Sequence, residues 1–313
     1  MSKKLLSPAL VALLLTACSS DNDTTVAVNE PVAAEFTASI GAPTRAYDQT
    51  WEANDAIGIY GTSAAESFTN VKYATDGSNS FTSATAEKIY FQDNNTVTFT
   101  AYYPWNDIAT ATTVSADTRL QANQKTFDFL WAQAQGSKAS RNVAFTFDHK
   151  MTKVVLTVKS GSDVTYQEVK DAILSLDGFL PAGSFDVTTG VATADANTAA
   201  DAYIFAGNTT ANNNAPITLD DVAETVTYSL ILFPQTFSAK LPFTATLTGL
   251  QSFSTAIDFT AANADAGDAT AANEWVAGRQ YNISVTLNKT SITVDGCTIN
   301  QWQQTNGGNF DAQ

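Results

Sequence analysis

Cysteine, histidine and methionine are scarce in this sequence of 313 residues, which contains two, one and two of them. Cys18 lies in the N-terminal segment described below, so Cys297 has no partner for an internal disulfide. Cys297 falls in an apolar strand pattern, and we predict that it is a buried structural thiol. The stability of the fold must therefore come from core packing.

The single histidine also limits the catalytic chemistry that the chain can offer. His149, which we place at the start of a strand, has no nucleophile or orienting acid at a recognisable spacing. The sequence has neither a nucleophile elbow nor a glycine-rich phosphate loop. The oxygen-rich run 263–268 lacks the glutamate that a calcium loop requires. We therefore predict a protein that is not an enzyme, with no cofactor and no bound metal.

Charged residues are few as well, at 15% of the chain, and the 31 acidic residues outnumber the 16 basic ones. A formal net charge of −15 repels polyanions, so we predict no nucleic-acid partner. The excess of acid is typical of a soluble surface and does not specify a function.

Long apolar runs are missing except for Leu5–Leu15, which is too short to span a bilayer. Lys3 and Lys4 precede it, and Leu15-Thr16-Ala17-Cys18 follows it in the order of a bacterial lipobox. We predict that residues 1–17 are a signal peptide and that Cys18 is lipidated. The polar, acidic residues 18–32 would then form a tether. Residues 19–23 of it resemble the acidic export tag of surface lipoproteins, and this resemblance implies that the lipid anchor holds the precursor on the outer face of the cell outer membrane.

What the sequence has in abundance is threonine, tyrosine and phenylalanine in short alternating runs, which favours an all-β protein. The clearest run is 225–233. Because many such runs alternate with turn signals, we predict β-sandwich domains, one over residues 46–140 and one over 141–313.

The segment 33–45 is set apart from these domains. Phe36, Ala38 and Ile40 alternate with polar residues, which predicts a strand with one buried face. Gly41 and Pro43 end it, and Arg45 follows in a predicted loop.

Eight segments follow the lipobox along the chain: Thr44-Arg45-Ala46, Trp51–Tyr60, Phe99–Pro104, Asp128–Ala132, Phe147–Val154, Phe233–Gln235, Trp275–Tyr281 and Ile299–Trp302. Taken in this order with the lipobox, they make the sequence resemble the fimbrillin-like lipoproteins, the subunits of the lipid-routed (type V) pili. The resemblance covers nearly the whole chain, although no single segment is specific.

The resemblance implies two tandem transthyretin-like β-sandwich domains and a route of assembly. A protease would cut the Arg45–Ala46 bond, strand 33–45 would leave, and a strand of the next subunit would fill the groove. We therefore expect a structural subunit or tip adhesin of a fimbrium, with other pilin subunits and a surface receptor as partners. The identity of the protease and the choice between shaft, anchor and tip stay open.

The donor strand is less clear from the sequence. The segment from Ser291 to Trp302 alternates, with Ile292, Val294, Ile299 and Trp302 as candidate donor residues. The same segment has the pattern of the last strand of its own domain. The tail beyond Trp302 is short and polar, and Phe310 is its one residue suited to a pocket. This departs from the pattern of a dedicated donor tail.

The alternative function is a surface glycan-binding lipoprotein that does not polymerise. Sugars pack on aromatic rings, and the chain has five tryptophans: Trp51, Trp105, Trp131, Trp275 and Trp302. Most of them lie beside strand-like sequence and are expected in cores. Trp105 follows Pro104 in a loop-like region and is the one expected to be exposed.

Overall fold

The protein is all-β in a computed structural model that describes residues 30–41, 50–108, 111–198, 200–206, 215–249, 252–267 and 272–302. From Pro31 onward the described residues belong to one compact unit. Within them, no helix is both long and apolar enough to cross a membrane.

Among the described residues, ten strands form before residue 150. They are β1 (Val32–Ala33), β2 (Glu35–Ile40), β3 (Ala53–Thr62), β4 (Ser67–Asp76), β5 (Ser80–Ser83), β6 (Tyr90–Phe91), β7 (Val97–Tyr103), β8 (Thr113–Asp117), β9 (Leu130–Gly136) and β10 (Asn142–His149), with a 3-10 helix at Gln121–Thr126. Seven of these strands close into a barrel in the order β10-β2-β5-β4-β3-β7-β9. Its interior is the first core, which is rich in aromatic side chains such as Phe36, Phe99 and Phe145.

Thirteen strands follow residue 150 in the part of the chain that the structure describes. They are β11 (Thr152–Ser160), β12 (Ile173–Phe179), β13 (Ala182–Asp186), β14 (Val191–Ala194), β15 (Asp201–Ala206), β16 (Ile217–Asp220), β17 (Thr225–Leu232), β18 (Gln235–Thr236), β19 (Leu241–Thr246), β20 (Ser252–Ile257), β21 (Glu274–Trp275), β22 (Arg279–Leu287) and β23 (Ile292–Gln301). Two short helices, α1 (Tyr166–Asp171) and α2 (Thr260–Asp265), lie between strands. The predicted strand at 225–233 is confirmed as β17.

The second core lies between two sheets of this later part. One sheet has the order β16-β17-β11-β22-β23 and the other β15-β12-β19-β20. Leu156 of β11 and Ile283 of β22 contribute from the first sheet, and Leu174 and Phe243 contribute from the second. Inward side chains of two sheets that share one core make a sandwich.

A third core joins the earlier and later strands. Phe129, which precedes β9, stacks on Phe185 of β13 with ring centroids 4.6 Å apart, and β8 pairs with β13 in a separate small sheet. The buried Gln121 side chain also bonds the backbone of Ile231, accepting from its N–H at 2.9 Å and donating to its carbonyl at 3.0 Å. These contacts cross the predicted division near residue 140.

Strand β10 begins just after that division yet belongs to the first sheet. It pairs with β2 and β9, and its Val143, Phe145 and Phe147 are buried in the first core. A division that follows the sheets therefore falls after residue 149. The domain bounds 46–140 and 141–313 stay a prediction.

Candidate strand-exchange site

Strand β2, which carries the predicted removable residues, lies inside the barrel wall between β10 and β5. It runs parallel to β10 over six register pairs, from Glu35 opposite Asn142 to Ile40 opposite Phe147. Its antiparallel contact with β5 is much shorter, with two register pairs at Phe36 and Thr37. Most of its ladder bonds are therefore to β10.

The inward face of β2 is fully buried. Phe36, Ala38 and Ile40 are 2%, 2% and 8% exposed, while Thr37 between them is exposed. The alternation therefore correctly predicted which face is buried.

Phe36 occupies a cage of aromatic rings. Its ring centroid lies 4.9 Å from that of Tyr73, 5.3 Å from Phe99 and 5.8 Å from Phe145. The first two pairs are edge-to-face, a geometry that stabilises aromatic clusters beyond simple burial. Phe36 is thus a central side chain of the first core.

Trp51 fixes the middle of the strand. Its indole Nε1 donates a buried hydrogen bond of 2.8 Å to the backbone carbonyl of Ala38. The indole itself is held edge-to-face by Phe81, Tyr103 and Phe147, at centroid distances of 5.1, 5.4 and 5.5 Å. These packing contacts fix the indole N–H at the Ala38 carbonyl.

The contacts of β2 outside its ladder with β10 are weaker. Glu35 forms an ion pair of 2.9 Å with Arg141, and both side chains are about half exposed, at 52% and 54%. Exposed ion pairs contribute little to stability. Because β5 covers only two residues of β2, an open groove of about 590 Å³ lies between these strands, lined by Phe36, Tyr73 and Phe81 among others.

The candidate donor segment forms β23, the edge strand of the five-stranded sheet. It pairs with β22 over nine register pairs, with one irregularity near Val285. Ile292, Val294 and Ile299 are half-buried and pack against the second core. In the monomer, the segment is thus the last strand of its own sheet, one of the two alternatives that the sequence left open.

Trp302 follows β23 and is buried at 3% exposure. Its ring stacks on His149 with centroids 3.8 Å apart, and its backbone N–H donates to the Gly278 carbonyl at 2.8 Å. Sequence reasoning missed this contact because the two residues are far apart in the chain.

His149 is the last residue of β10, so its predicted position at a strand start was wrong. Its Nδ1 lies 2.8 Å from Asp128 Oδ1, while its buried Nε2 has no hydrogen-bond partner among the described residues. The side chain is 1% exposed and its ring stacks on Trp302, which indicates a structural role for it.

Cys297 lies half-buried on β23. Burial raises the pKa of its thiol from 9.0 to about 12. Since the thiolate is the reactive form, the shift makes the side chain inert at neutral pH.

The tryptophans divide into two groups. Trp51, Trp275 and Trp302 are buried, whereas Trp105 and Trp131 are half-buried. Trp105 lies in an open groove of about 630 Å³ whose other lining residues include Asn54, Lys72 and Asn106. The Lys72 ammonium lies 4.1 Å from the centre of the Trp105 ring.

Several predicted sites lie outside the described residues: the signal peptide, the lipidation site Cys18, most of the tether, the processing bond between Arg45 and Ala46, and the tail with Phe310. Within the described part of the chain, no three His, Cys, Asp or Glu side chains are grouped so that they could hold a metal ion. Asn263 of the oxygen-rich run is buried there and bonds the Ala272 and Glu274 carbonyls at 2.8 and 3.0 Å.

Comparisons with known proteins agree on one family. A profile of proteins described as fimbrillin-like matches residues 44–302. A Bacteroides uniformis protein assigned as fimbrium subunit Fim1C is 32% identical over 320 residues, which cover 98% of each chain.

Solved structures share the fold. A protein of Bacteroides uniformis assigned to cell adhesion has a TM-score of 0.67 at 29% identity, covering 87% of this chain and 99% of its own. A similarly assigned protein of Bacteroides ovatus has a TM-score of 0.66 at 22% identity, covering 88% of this chain and 99% of its own.

Proposed function

The chain belongs to the fimbrillin-like family, and on that premise we propose that it is a structural subunit or tip adhesin of a cell-surface fimbrium that polymerises by strand exchange. In this proposal the Arg45–Ala46 bond is cut, β2 leaves, and a strand of another subunit takes its place. The observation that carries the proposal is the position of β2. It is a complete core strand, and the predicted cleavage site follows it by five residues.

The energetics favour replacement over an empty groove. Burial of large side chains such as Phe36 and Ile40 is worth about 1.5–3 kcal/mol each. Loss of β2 would also free the edge of β10 and leave the Trp51 indole N–H without its buried acceptor. An unpaired strand edge beside an apolar trough is a strong template for another strand.

The short contact with β5 favours release after a cut. On that side two register pairs and the bond from the Ala38 N–H to the Asn79 carbonyl hold β2. The exposed Glu35–Arg141 ion pair, next to β10, adds little. Before the cut, the covalent connection from β2 to the body keeps the strand in place, because its local concentration is high. Cleavage removes this advantage.

We place the precursor on the outer face of the outer membrane, held by lipid on Cys18 and a tether that ends near residue 32. The lipobox order and the acidic residues after Cys18 support this part of the proposal. We also propose that the chain folds into two tandem transthyretin-like sandwich domains and that its role is structural and not enzymatic. Family membership supports that role.

Arg45→Ala tests the proposal. We expect the variant to be folded, lipidated and displayed on the cell surface as a monomer, while the wild type forms polymers that resist SDS. Arg141→Ala serves as a matched control because it removes an exposed arginine near β2 without touching the cleavage site. Polymers of the Arg45→Ala variant at the wild-type level would refute the proposed cleavage.

A second candidate function is saccharide binding in the groove beside Trp105. The half-buried indole next to amide and ammonium groups is the chemistry that sugar rings and hydroxyls bind. Glycan-array binding by the uncut monomer, lost in Trp105→Ala and kept in Trp131→Ala, would support this function. No binding to any glycan by a monomer or polymer would exclude it.

A further inference from the structure

Glu35 of β2 holds Arg141 at two points. Its carboxylate lies 2.9 Å from the Arg141 guanidinium, and its backbone N–H donates to the Arg141 carbonyl oxygen at 3.0 Å. That carbonyl belongs to the Arg141–Asn142 peptide bond. We propose that this bond is a second site for an arginine-specific protease, masked while β2 is in place and uncovered when β2 leaves. The inference rests on the proposed function, in which a cut at Arg45 releases β2, and it adds a fate for subunits whose groove stays empty.

The two groups that Glu35 holds are the two that such a protease must bind. Trypsin-like proteases place the arginine side chain in an acidic pocket and its carbonyl oxygen among the N–H donors of the oxyanion hole. Neither group can enter the enzyme while it is bonded to Glu35. Hydrolysis adds one water across the C–N bond, so that Arg141 gains a carboxylate and Asn142 becomes a new amino terminus.

The chain before Arg141 is accessible to an enzyme. Residues 137–140 form a turn closed by two backbone hydrogen bonds between Ser137 and Ser140, of 3.1 and 3.0 Å. Ala139, Ser140 and Arg141 are all exposed. Exposed loop tips with small and polar residues are preferred sites of proteolysis. Protection of the bond must therefore come from the chain after Arg141.

Strand β2 is what holds that part of the chain. Residues 142–147 of β10 pair with β2, whereas β9 on the other side pairs with β10 only at Asp148 and His149 in the described residues. The Phe145 ring also stacks on Phe36 of β2. Release of β2 takes away these ladder bonds and this ring contact. Because a segment with few remaining contacts opens easily, residues 142–147 become available in the extended form that a protease binds.

Two other arginines show the difference. Arg119 forms an ion pair with Asp117 in its own turn, and Arg279 of β22 donates to Asn263 at 3.4 Å. Ladders with β11 and β23 also hold the start of β22 on both sides. These contacts stay when β2 leaves, whereas both contacts between Glu35 and Arg141 are lost.

One class of protease then both activates a subunit and removes it. After the cut at Arg45, a subunit that receives a strand in the place of β2 regains a ladder partner for residues 142–147 and keeps its Arg141–Asn142 bond. A subunit with an empty groove is cut into two pieces. This limits the lifetime of molecules that expose a strand edge and an apolar trough, the features that lead to aggregation.

An arginine-specific endoprotease acting on the full chain tests the masking, with every fragment identified by mass spectrometry. The proteins carry Arg119→Lys, which removes the other exposed arginine and keeps its charge. We expect a cut at Arg45 first, and a cut at Arg141 only in molecules that have lost residues 33–45. In Arg45→Ala, β2 stays attached, and the cut at Arg141 should be at least about a hundredfold slower because proteolysis follows the population of the opened segment. A fragment that contains residues 33–45 and ends at Arg141, formed as fast as the wild-type cut, would overturn the proposal.

Weakening β2 without cutting it gives an independent test. Phe36→Ala added to Arg45→Ala should speed the cut at Arg141 at least about tenfold, whereas Thr37→Ala should not. A cut at Arg279 would report global unfolding and should stay absent. Equal rates at Arg141 in the two double variants would show that β2 does not mask the bond.

The fate of β2 separates this proposal from the proposed function. Arg141→Ala should be cut at Arg45 and then stay whole, which assigns the second cut to this bond. Wild-type protein that loses β2 and keeps the Arg141–Asn142 bond would overturn the second site and leave strand release standing. Protein that is cut at Arg45, retains β2 on purification and does not assemble would instead refute the proposed function.

Discussion

Phe36→Ala in the uncut protein measures how much β2 contributes to the first core. Phe36 is 2% exposed and has three aromatic rings with centroids within 6 Å. Truncation of a buried phenylalanine to alanine costs about 3–5 kcal/mol because it loses transfer energy and leaves a cavity. With an m-value of about 3 kcal/mol/M, the urea midpoint should fall by about 1–1.7 M.

The matched control is Thr37→Ala on the same strand, whose side chain is exposed. Its free energy of unfolding should change by less than about 0.5 kcal/mol. If Phe36→Ala were no more destabilising than Thr37→Ala, β2 would not fill the core as described.

The proposed strand exchange predicts a different result for the assembled protein. After cleavage and assembly, Phe36→Ala and wild-type polymers should be equally stable, because neither retains residue 36.

Three other perturbations test the rest of the fold. Trp302→Ala removes the ring stacked on His149 and should lower the free energy of unfolding by about 3–5 kcal/mol in urea titrations. Gly183→Ala places a Cβ 2.3 Å from the Thr193 carbonyl oxygen, and should lower the melting temperature far more than Gly296→Ala, where nothing lies within 4 Å. The pKa of the Cys297 thiol is raised from 9.0 to about 12, so at pH 8 it should react with a disulfide reagent about a thousandfold more slowly than an ordinary thiol. Its own reaction rate should rise about tenfold with each pH unit up to pH 11, because the thiolate fraction rises by that factor. Rapid labelling at pH 8 would contradict this burial.

Local pattern was enough to predict individual strands, including the one that carries the proposed function. Alternation over residues 36–40 identified the buried face of β2, and the run at 225–233 identified β17. These predictions succeed because a strand with one buried face repeats every two residues, whatever its partner.

The pairing of the strands could not be predicted in the same way. Nothing in residues 35–40 indicates a parallel partner more than 100 residues later, and β10 therefore seemed to open the second domain. The stack of Trp302 on His149 was missed for the same reason. Both depend on how distant segments meet, which local periodicity does not encode.

The most direct test of the central claim is the N-terminus of the assembled subunit. Polymers that resist SDS would be isolated, dissociated and measured by intact and peptide mass spectrometry. We predict subunits that begin at Ala46 and yield no peptide containing Phe36. Subunits that begin at lipidated Cys18 and retain residues 33–45 within the polymer would contradict the claim that β2 is released for assembly.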